Sequence, residues 1–164
     1  MTLSARLNAA LSFTQTGAPD LGSSKSEQAL SISKTIADGT GNSQANIGFT
    51  DSRTLATNTS EDIDLAGALS DAFGATIAAA EIVAILIESD SANTTNLTIG
   101  AATAEAQLFF GAAGDTAVIK PGGFLMAYAP AGWAITATTA DALKIANAAG
   151  ASATYRIGFL ARNA

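Results

Sequence analysis

The densest group of side chains that could do chemistry is acidic and consists of Glu61, Asp62 and Asp64. Residues two positions apart lie on the same face of a strand, so Asp62 and Asp64 could share a hard cation such as Ca²⁺. A calcium site normally takes about six to eight oxygen ligands, and the sequence has no EF-hand-like loop with its glycine and distal glutamate. A solvated strand face, or a charged edge that resists unwanted pairing, explains the same residues and is the preferred interpretation.

Cysteine and histidine are both absent from the 164 residues, which excludes several kinds of catalytic site. The chain has no disulfide, no Cys/His zinc site, no thiol nucleophile and no Ser-His-Asp triad. Eight Lys and Arg residues are scattered singly against fourteen Asp and Glu, giving a net charge of −6. No basic surface for nucleic acid is visible, so we expect no nucleic-acid partner.

Two further routes to enzymatic chemistry find little support in the sequence. Paired carboxylates can act without histidine, as in glycosidases, but a sugar cleft also needs aromatic side chains, and the chain has one Trp and two Tyr. Trp133 and Tyr155 are expected in the core or in a subunit contact. The glycine-containing segment 111–114 lacks the Gly-Lys-Ser/Thr of a phosphate loop and is interpreted as a turn. The sequence therefore predicts no enzyme, no metal and no cofactor.

Glu81 lies within the most apolar run of the chain, residues 75–87. A carboxylate there must pair, face solvent or take up a proton, and we expect Arg53, Arg156 or a neighbouring subunit to face it. The run is shorter than the roughly 20 residues of a membrane-spanning helix, and residues 1–11 lack the long apolar core of a secretory signal. We therefore expect no membrane partner and synthesis in the cytoplasm.

From residue 29 onward, short apolar runs alternate with turn residues, which is the pattern of an all-β protein. Leu30, Ile32 and Ile36 fall on even positions, as a half-buried strand requires. Residues 65–74 predict one or two helical turns ending at Gly74, and residues 77–88 predict a central strand. Eight or nine short strands at roughly 8–12-residue spacing predict an antiparallel β-sandwich or barrel for residues 29–164.

Residues 1–28 differ from the rest and are predicted to form an N-terminal arm. Leu3, Leu7 and Leu11 recur at four-residue spacing, which fits one face of a short helix, while Leu11 and Phe13 alternate with polar residues as in a strand. Glycine, proline and serine residues then break any regular element. Two interpretations of this segment remain open: an arm that gains its order from a neighbouring subunit, and a frayed terminus. The candidate partner contacts are Leu3, Leu7, Leu11 and Phe13.

Six short motifs, in their order along the chain, resemble the small virion structural proteins of tailed bacteriophages, and the resemblance covers residues 29–164. They are Asp-Gly-Thr-Gly at 38–41, Asp-Leu-Ala-Gly-Ala-Leu-Ser-Asp-Ala-Phe-Gly at 64–74, Asn-Leu-Thr-Ile-Gly at 96–100, Pro-Gly-Gly-Phe at 121–124, Asp-Ala-Leu-Lys-Ile-Ala-Asn at 141–147 and Tyr-Arg-Ile-Gly-Phe at 155–159. Each motif alone is a turn between strands.

The resemblance implies a β-sandwich of jelly-roll type located in the virion. Within that class we expect a capsid decoration (cement) protein, a homo-oligomer with a trimer favoured, whose partners are the major capsid protein or other virion proteins. Such proteins carry no catalytic residues, and none is transferred. A tail, baseplate or fibre component with a carbohydrate-binding role is the alternative, because jelly rolls host both functions. The arm would reach a neighbouring subunit by strand addition or in a groove.

Overall fold

The computed structural model describes residues 2–100, 109–112 and 114–163, and these residues form an all-β protein. Eleven strands are present in that part of the chain, and ten of them lie wholly or partly within residues 29–164, for which eight or nine were predicted. They are β1 (Ala5–Gly17), β2 (Ser24–Asp38), β3 (Gln44–Ala45), β4 (Ile47–Leu55), β5 (Ser60–Asp64), β6 (Glu81–Ser89), β7 (Leu97–Gly100), β8 (Thr116–Ile119), β9 (Phe124–Ala134), β10 (Ala142–Asn147) and β11 (Ala153–Arg162).

Eight of these strands form two four-stranded antiparallel sheets that make up the body of the molecule. One sheet has the order β4-β11-β6-β9 and the other the order β5-β10-β7-β8. Alternating side chains from both sheets meet in one hydrophobic cluster, which includes Ile85 and Phe159 from the first sheet and Ile99 and Ile145 from the second. Burial of each such side chain contributes about 1.5–3 kcal/mol, so this shared layer is the main source of stability.

The pairing within the body is nested along the sequence. Strand β4 pairs with β11, β5 with β10, β6 with β9, and β7 with β8, each in antiparallel register. Strands that follow one another in the chain therefore belong to opposite sheets, except for β7 and β8. The polypeptide crosses from sheet to sheet at almost every connection.

The first two strands form a long antiparallel hairpin, with thirteen paired positions from Ala5 opposite Ile36 to Gly17 opposite Ser24. The extended alternative for this segment is thus correct, and the helical one is wrong. The boundary predicted between residues 28 and 29 falls inside β2, because the arm and the first predicted strand are partners in one ribbon. Strand β3 adds to the base of the hairpin by a short parallel pairing with β2.

A second, smaller core joins the hairpin to the body. Ile36 and Ala45 from the hairpin sheet are fully buried against Val83 and Ala84 of β6. Strand β6 serves both cores because alternate side chains of a strand face opposite sides. A register shift between Ile82 and Ala84 lets two consecutive residues, Val83 and Ala84, face the hairpin.

The helical turns predicted for residues 65–74 are wrong, because this segment consists of turns and a single bridge. The carbonyls of Leu65 and Leu69 accept hydrogen bonds from Ala79 and Ile77, so they are not available for a helix. These long-range bonds outweigh the weak local preference of a two-turn helix.

The strand predicted at residues 77–88 is shorter in the structure and begins only at Glu81. Phe109 and Phe110, two apolar residues that a strand could also hold, occupy a turn.

Candidate functional site

The hairpin is amphipathic, because its register places apolar residues from both strands on one face. Leu11 lies opposite Leu30 and Ala9 opposite Ile32, while Phe13 follows on the same face. The other face is polar, and its residues include Asn8, Ser33, Ser12, Thr14 and Glu27. The Ser33 hydroxyl donates a hydrogen bond of 2.8 Å to the Asn8 side chain across that face.

The base of the apolar face is seated on the body. Leu3 and Leu7, two of the predicted partner contacts, pack with Ile36 against Leu160 and Ala84 on the outer face of the β4-β11-β6-β9 sheet. The Leu3 amide donates a hydrogen bond of 3.0 Å to the Asp38 carboxylate, which holds the start of the chain against the end of β2. These two leucines therefore have partners within their own chain.

A buried arginine fastens the loop after the hairpin to the body. The Arg162 guanidinium is 5% exposed and donates hydrogen bonds to the carbonyls of Gly41, Pro130 and Ala131. It also forms an ion pair with Glu81. The prediction that Arg53 or Arg156 faces Glu81 is wrong, since Arg53 pairs with Asp51 and Glu61, and Arg156 with Glu88. Residue 162 lies opposite residue 81 in the β11–β6 register, which sequence spacing alone does not reveal.

The outer half of the hairpin's apolar face is exposed. We call its four large side chains the apolar strip: Leu11 is 63% exposed, Leu30 64%, Phe13 46% and Ile32 46%. Leu11 and Phe13 are the other two predicted partner contacts. The sequence pattern placed Leu30 and Ile32 on one face of a half-buried strand and did not identify them as partner contacts, because they join Leu11 and Phe13 only through the hairpin register.

A second exposed apolar surface lies on the body beside the strip. Leu86, Phe124 and Met126 form this outer patch on β6 and β9, and Phe124 is 67% exposed. One open groove of about 530 Å³ is lined by the outer patch and by three strip residues, Leu11, Leu30 and Ile32. The groove continues toward the base of the hairpin, between Leu7 and Gly158. Exposed apolar area of this extent and continuity marks an interaction surface.

Few charges lie near this surface. Glu88 forms an ion pair with Arg156 at one end of the outer patch, and Lys34 lies on the strip's face of the hairpin, opposite Leu7 near the base. The Lys25–Glu27 ion pair lies on the opposite, polar face. The strip and the patch themselves contain no charged residue, so they can bind an apolar counterpart.

The carboxylate group predicted at residues 61–64 is divided between different environments. Glu61 accepts hydrogen bonds of 2.6 Å from the Tyr155 hydroxyl and 2.7 Å from Arg53, which link the two sheets at their edge. Asp64 accepts a bond from the Ala66 amide, and Asp62 lies opposite Lys144 on β10. Among the described residues, no group of three acidic, His or Cys side chains could hold a metal ion.

The network around Glu61 shifts the protonation of its neighbours. The pKa of the Tyr155 hydroxyl is raised, first by burial and then by its hydrogen bond to Glu61. Burial is the largest influence on Arg53 and acts to lower its pKa, but bonds to Asp51 and Glu61 outweigh it and raise the pKa. The bond from Arg53 in turn lowers the pKa of Asp51. The cluster thus holds fixed charges and a neutral tyrosine, which suits a structural link.

The two aromatic residues predicted for core or subunit contact both pack within the chain. Tyr155 is fully buried between the sheets, and Trp133 packs at the edge of the same core. The Trp133 ring meets Phe109 edge to face at 5.2 Å between centroids. Neither ring lies on the exposed strip or the outer patch.

No protein-family model matches this chain, and no curated protein matches it. A comparison with solved structures finds similarity to a chain described under "Bacillus endospore appendages form a novel family of disulfide-linked pili". The TM-score is 0.39 at 15% sequence identity, with 77% of this chain and 97% of that chain covered. A likeness at that level carries no argument about fold or function. Among the described residues, no helix is long and apolar enough to cross a membrane.

Proposed function

We propose that this protein is a non-enzymatic structural protein of a tailed-bacteriophage virion. Its role is that of a capsid decoration (cement) protein, which binds the head shell and stabilises it as a small closed homo-oligomer, with a trimer favoured. Its partners are copies of itself and the major capsid protein. The sequence motifs described above first led to this assignment, and the following observations support it.

The exposed apolar strip carries the proposal. A two-stranded ribbon is marginally stable in water unless something packs on it, yet Leu11, Phe13, Leu30 and Ile32 project along such a ribbon uncovered. A surface of this kind gains stability from contact with another protein. Building contacts of this kind in many copies is the task of a protein that reinforces a shell.

The nested pairing of the body strands supports the jelly-roll type that we propose for the fold. A jelly roll is a long hairpin of eight strands rolled into two sheets. Its first strand pairs with the eighth, the second with the seventh, the third with the sixth and the fourth with the fifth. Strands β4 to β11 pair in that order. Jelly rolls occur in viral capsid proteins and in lectins. The pairing order therefore supports the fold class alone, and the choice of a protein partner is supported by the exposed strip.

The charged residues of the body fit a structural role. Glu61 is bound by Tyr155 and Arg53, and Glu81 by Arg162, so these five ionisable side chains form two groups linked across strands. A general acid or base needs a proton that can reach a substrate, and these carboxylates are committed to cross-strand links.

Cryo-electron microscopy of whole particles, made with and without this gene, tests the proposed function. We expect density of this shape at repeated symmetry positions on the head, and heads lacking it should release DNA after a milder osmotic shock. Absence of the protein from purified particles would refute the proposal, and so would density confined to the tail.

A further inference from the structure

We infer that the apolar strip is covered by a second copy of this chain, the strip of one copy packing against the outer patch of the next. This inference rests on the proposed function, because it specifies how the homo-oligomer forms. The strip comprises Leu11, Phe13, Leu30 and Ile32, and the outer patch comprises Leu86, Phe124 and Met126.

Both halves of the contact are present on one chain. At the base of the hairpin, the same apolar face is already seated on the same sheet, where Ile36 and Leu7 pack against Ala84 and Leu160. Farther out, the strip is exposed, and three of its four residues line an open groove together with the patch. A second copy supplies a patch for each strip and a strip for each patch, and closed symmetry satisfies all copies at once.

The exposed side chains supply the apolar centre of such an association. Six of the seven side chains are between 44% and 67% exposed. Together they offer several hundred Å² of apolar contact, divided between the strip and the patch, where a standard interface buries about 800 Å² per partner. Backbone edges add to this, since the hairpin from residue 9 to residue 32 has unpaired edges in the described part of the chain.

Charge also favours a second copy over a charged partner. The chain carries a net charge of −6, so two copies repel each other at long range. The strip and the patch contain no charge, the Glu88–Arg156 pair beside the patch is neutral in sum, and Lys34 on the strip's face is positive. Two copies that meet through the strip and the patch therefore do so where the electrostatic repulsion between them is weakest.

A pair of double variants with matched charge tests the inference. Leu11→Asp with Leu30→Asp places two carboxylates on the strip, while Ser12→Asp with Ala29→Asp places two on the polar face at the neighbouring paired position. Sedimentation should show at least about 100-fold weaker self-association for the strip variant, because its carboxylates would have to lose water in the contact. The polar-face variant should associate as the native protein does. Equal association of both variants would overturn the inference.

Cross-linking between copies gives a second readout that does not depend on an added charge. The chain has no cysteine, so a Leu11→Cys copy mixed with a size-tagged Phe124→Cys copy can form only one mixed disulfide. Such a bond needs Cα atoms within about 7 Å. We expect it to form at least about tenfold faster than with a Ser12→Cys copy. Equal rates would contradict the strip-to-patch contact.

The same experiments separate this inference from the proposed function. A native protein that stays monomeric but binds phage heads through the strip would refute the inference and the proposed homo-oligomer, and would leave the capsid-decoration role standing. A native protein that associates through the strip but is missing from particles would do the reverse. A monomer whose hairpin closes onto its own sheet would also refute the inference.

Discussion

At the scale of single residues, the polar groups of the body act as links between strands. The Tyr155 hydroxyl and the Arg53 guanidinium both bind the Glu61 carboxylate, at 2.6 and 2.7 Å, and so connect β11 and β4 of one sheet to β5 of the other. Hydrogen bonds to a charged partner contribute more than neutral ones, so this edge should be sensitive to conservative substitution.

Tyr155→Phe removes one of these bonds and keeps the ring. We expect the free energy of unfolding to fall by about 1.5–3 kcal/mol in urea titrations at one fixed protein concentration, because the hydrogen bond is to a charged group. Tyr128→Phe is the control, since the Tyr128 hydroxyl makes only a 3.3 Å bond to Ser43. If both substitutions lowered the free energy of unfolding equally, the hydrogen bond from Tyr155 to Glu61 would contribute no more to stability than the weaker bond from Tyr128.

Asp51 gives a prediction about pH. Its pKa is lowered in the folded state, chiefly by the bond from Arg53, so its contribution to stability is present above the ordinary value of 3.8 and is lost as the pH falls through the folded value. The stability difference between the native protein and Asp51→Asn should therefore shrink between pH 6 and pH 3. A difference that stays constant in urea titrations across this range would contradict the pairing.

Two arginines on β11 pair with glutamates on β6 and provide a matched comparison. Arg162→Met leaves Glu81 and three carbonyls without their buried donor, and we expect a loss of about 2–4 kcal/mol. Arg156→Met breaks a pair whose arginine side chain is 70% exposed, and the loss should stay below about 1 kcal/mol. Urea titration of both variants decides between these values.

At the scale of elements, the sequence predicted strands better than it predicted their partners. The even spacing of Leu30, Ile32 and Ile36 identified part of β2, because a half-buried strand imposes a period of two. Spacing by four, as in Leu3, Leu7 and Leu11, places residues on one face in both a strand and a helix. The hairpin was missed for that reason, and its six-residue turn at 18–23 lacks a short-turn signal.

The tip-replaced protein, in which a two-residue Asn-Gly turn takes the place of residues 10–31, isolates the role of the outer part of the hairpin. Ala9 and Ile32 are opposite each other, so a short turn can join them. The base, with Leu3, Leu7 and Ile36, keeps its contacts with the body, and we expect a urea unfolding transition close to that of the native protein. Self-association should be lost.

Deleting residues 1–28 serves as the contrasting variant. It removes β1 together with Leu3 and Leu7, and so uncovers the second core as well. This deletion should lower the free energy of unfolding, which the tip replacement should not. Equal destabilisation by both changes would show that the ribbon outside the base supports the body.

At the scale of the whole molecule, the sequence identified two of the seven residues of the strip and the patch as partner contacts. Leu11 and Phe13 could be identified from their alternation with polar residues near the start of the chain. Leu30, Ile32 and Phe124 could not be identified as contacts, because their place beside the others depends on hairpin register and on the packing of the hairpin over the β6–β9 face. The lack of cysteine and histidine excluded whole classes of chemistry from the sequence alone.

The most direct test of this account is sedimentation velocity of the intact protein and the tip-replaced protein across micromolar concentrations. The intact chain, with a subunit mass of 16.3 kDa, should sediment as one small closed oligomer, with a trimer favoured. The tip-replaced chain should sediment as a monomer. An intact protein that remains monomeric throughout this range, or a tip-replaced protein that assembles as well as the intact one, would contradict it.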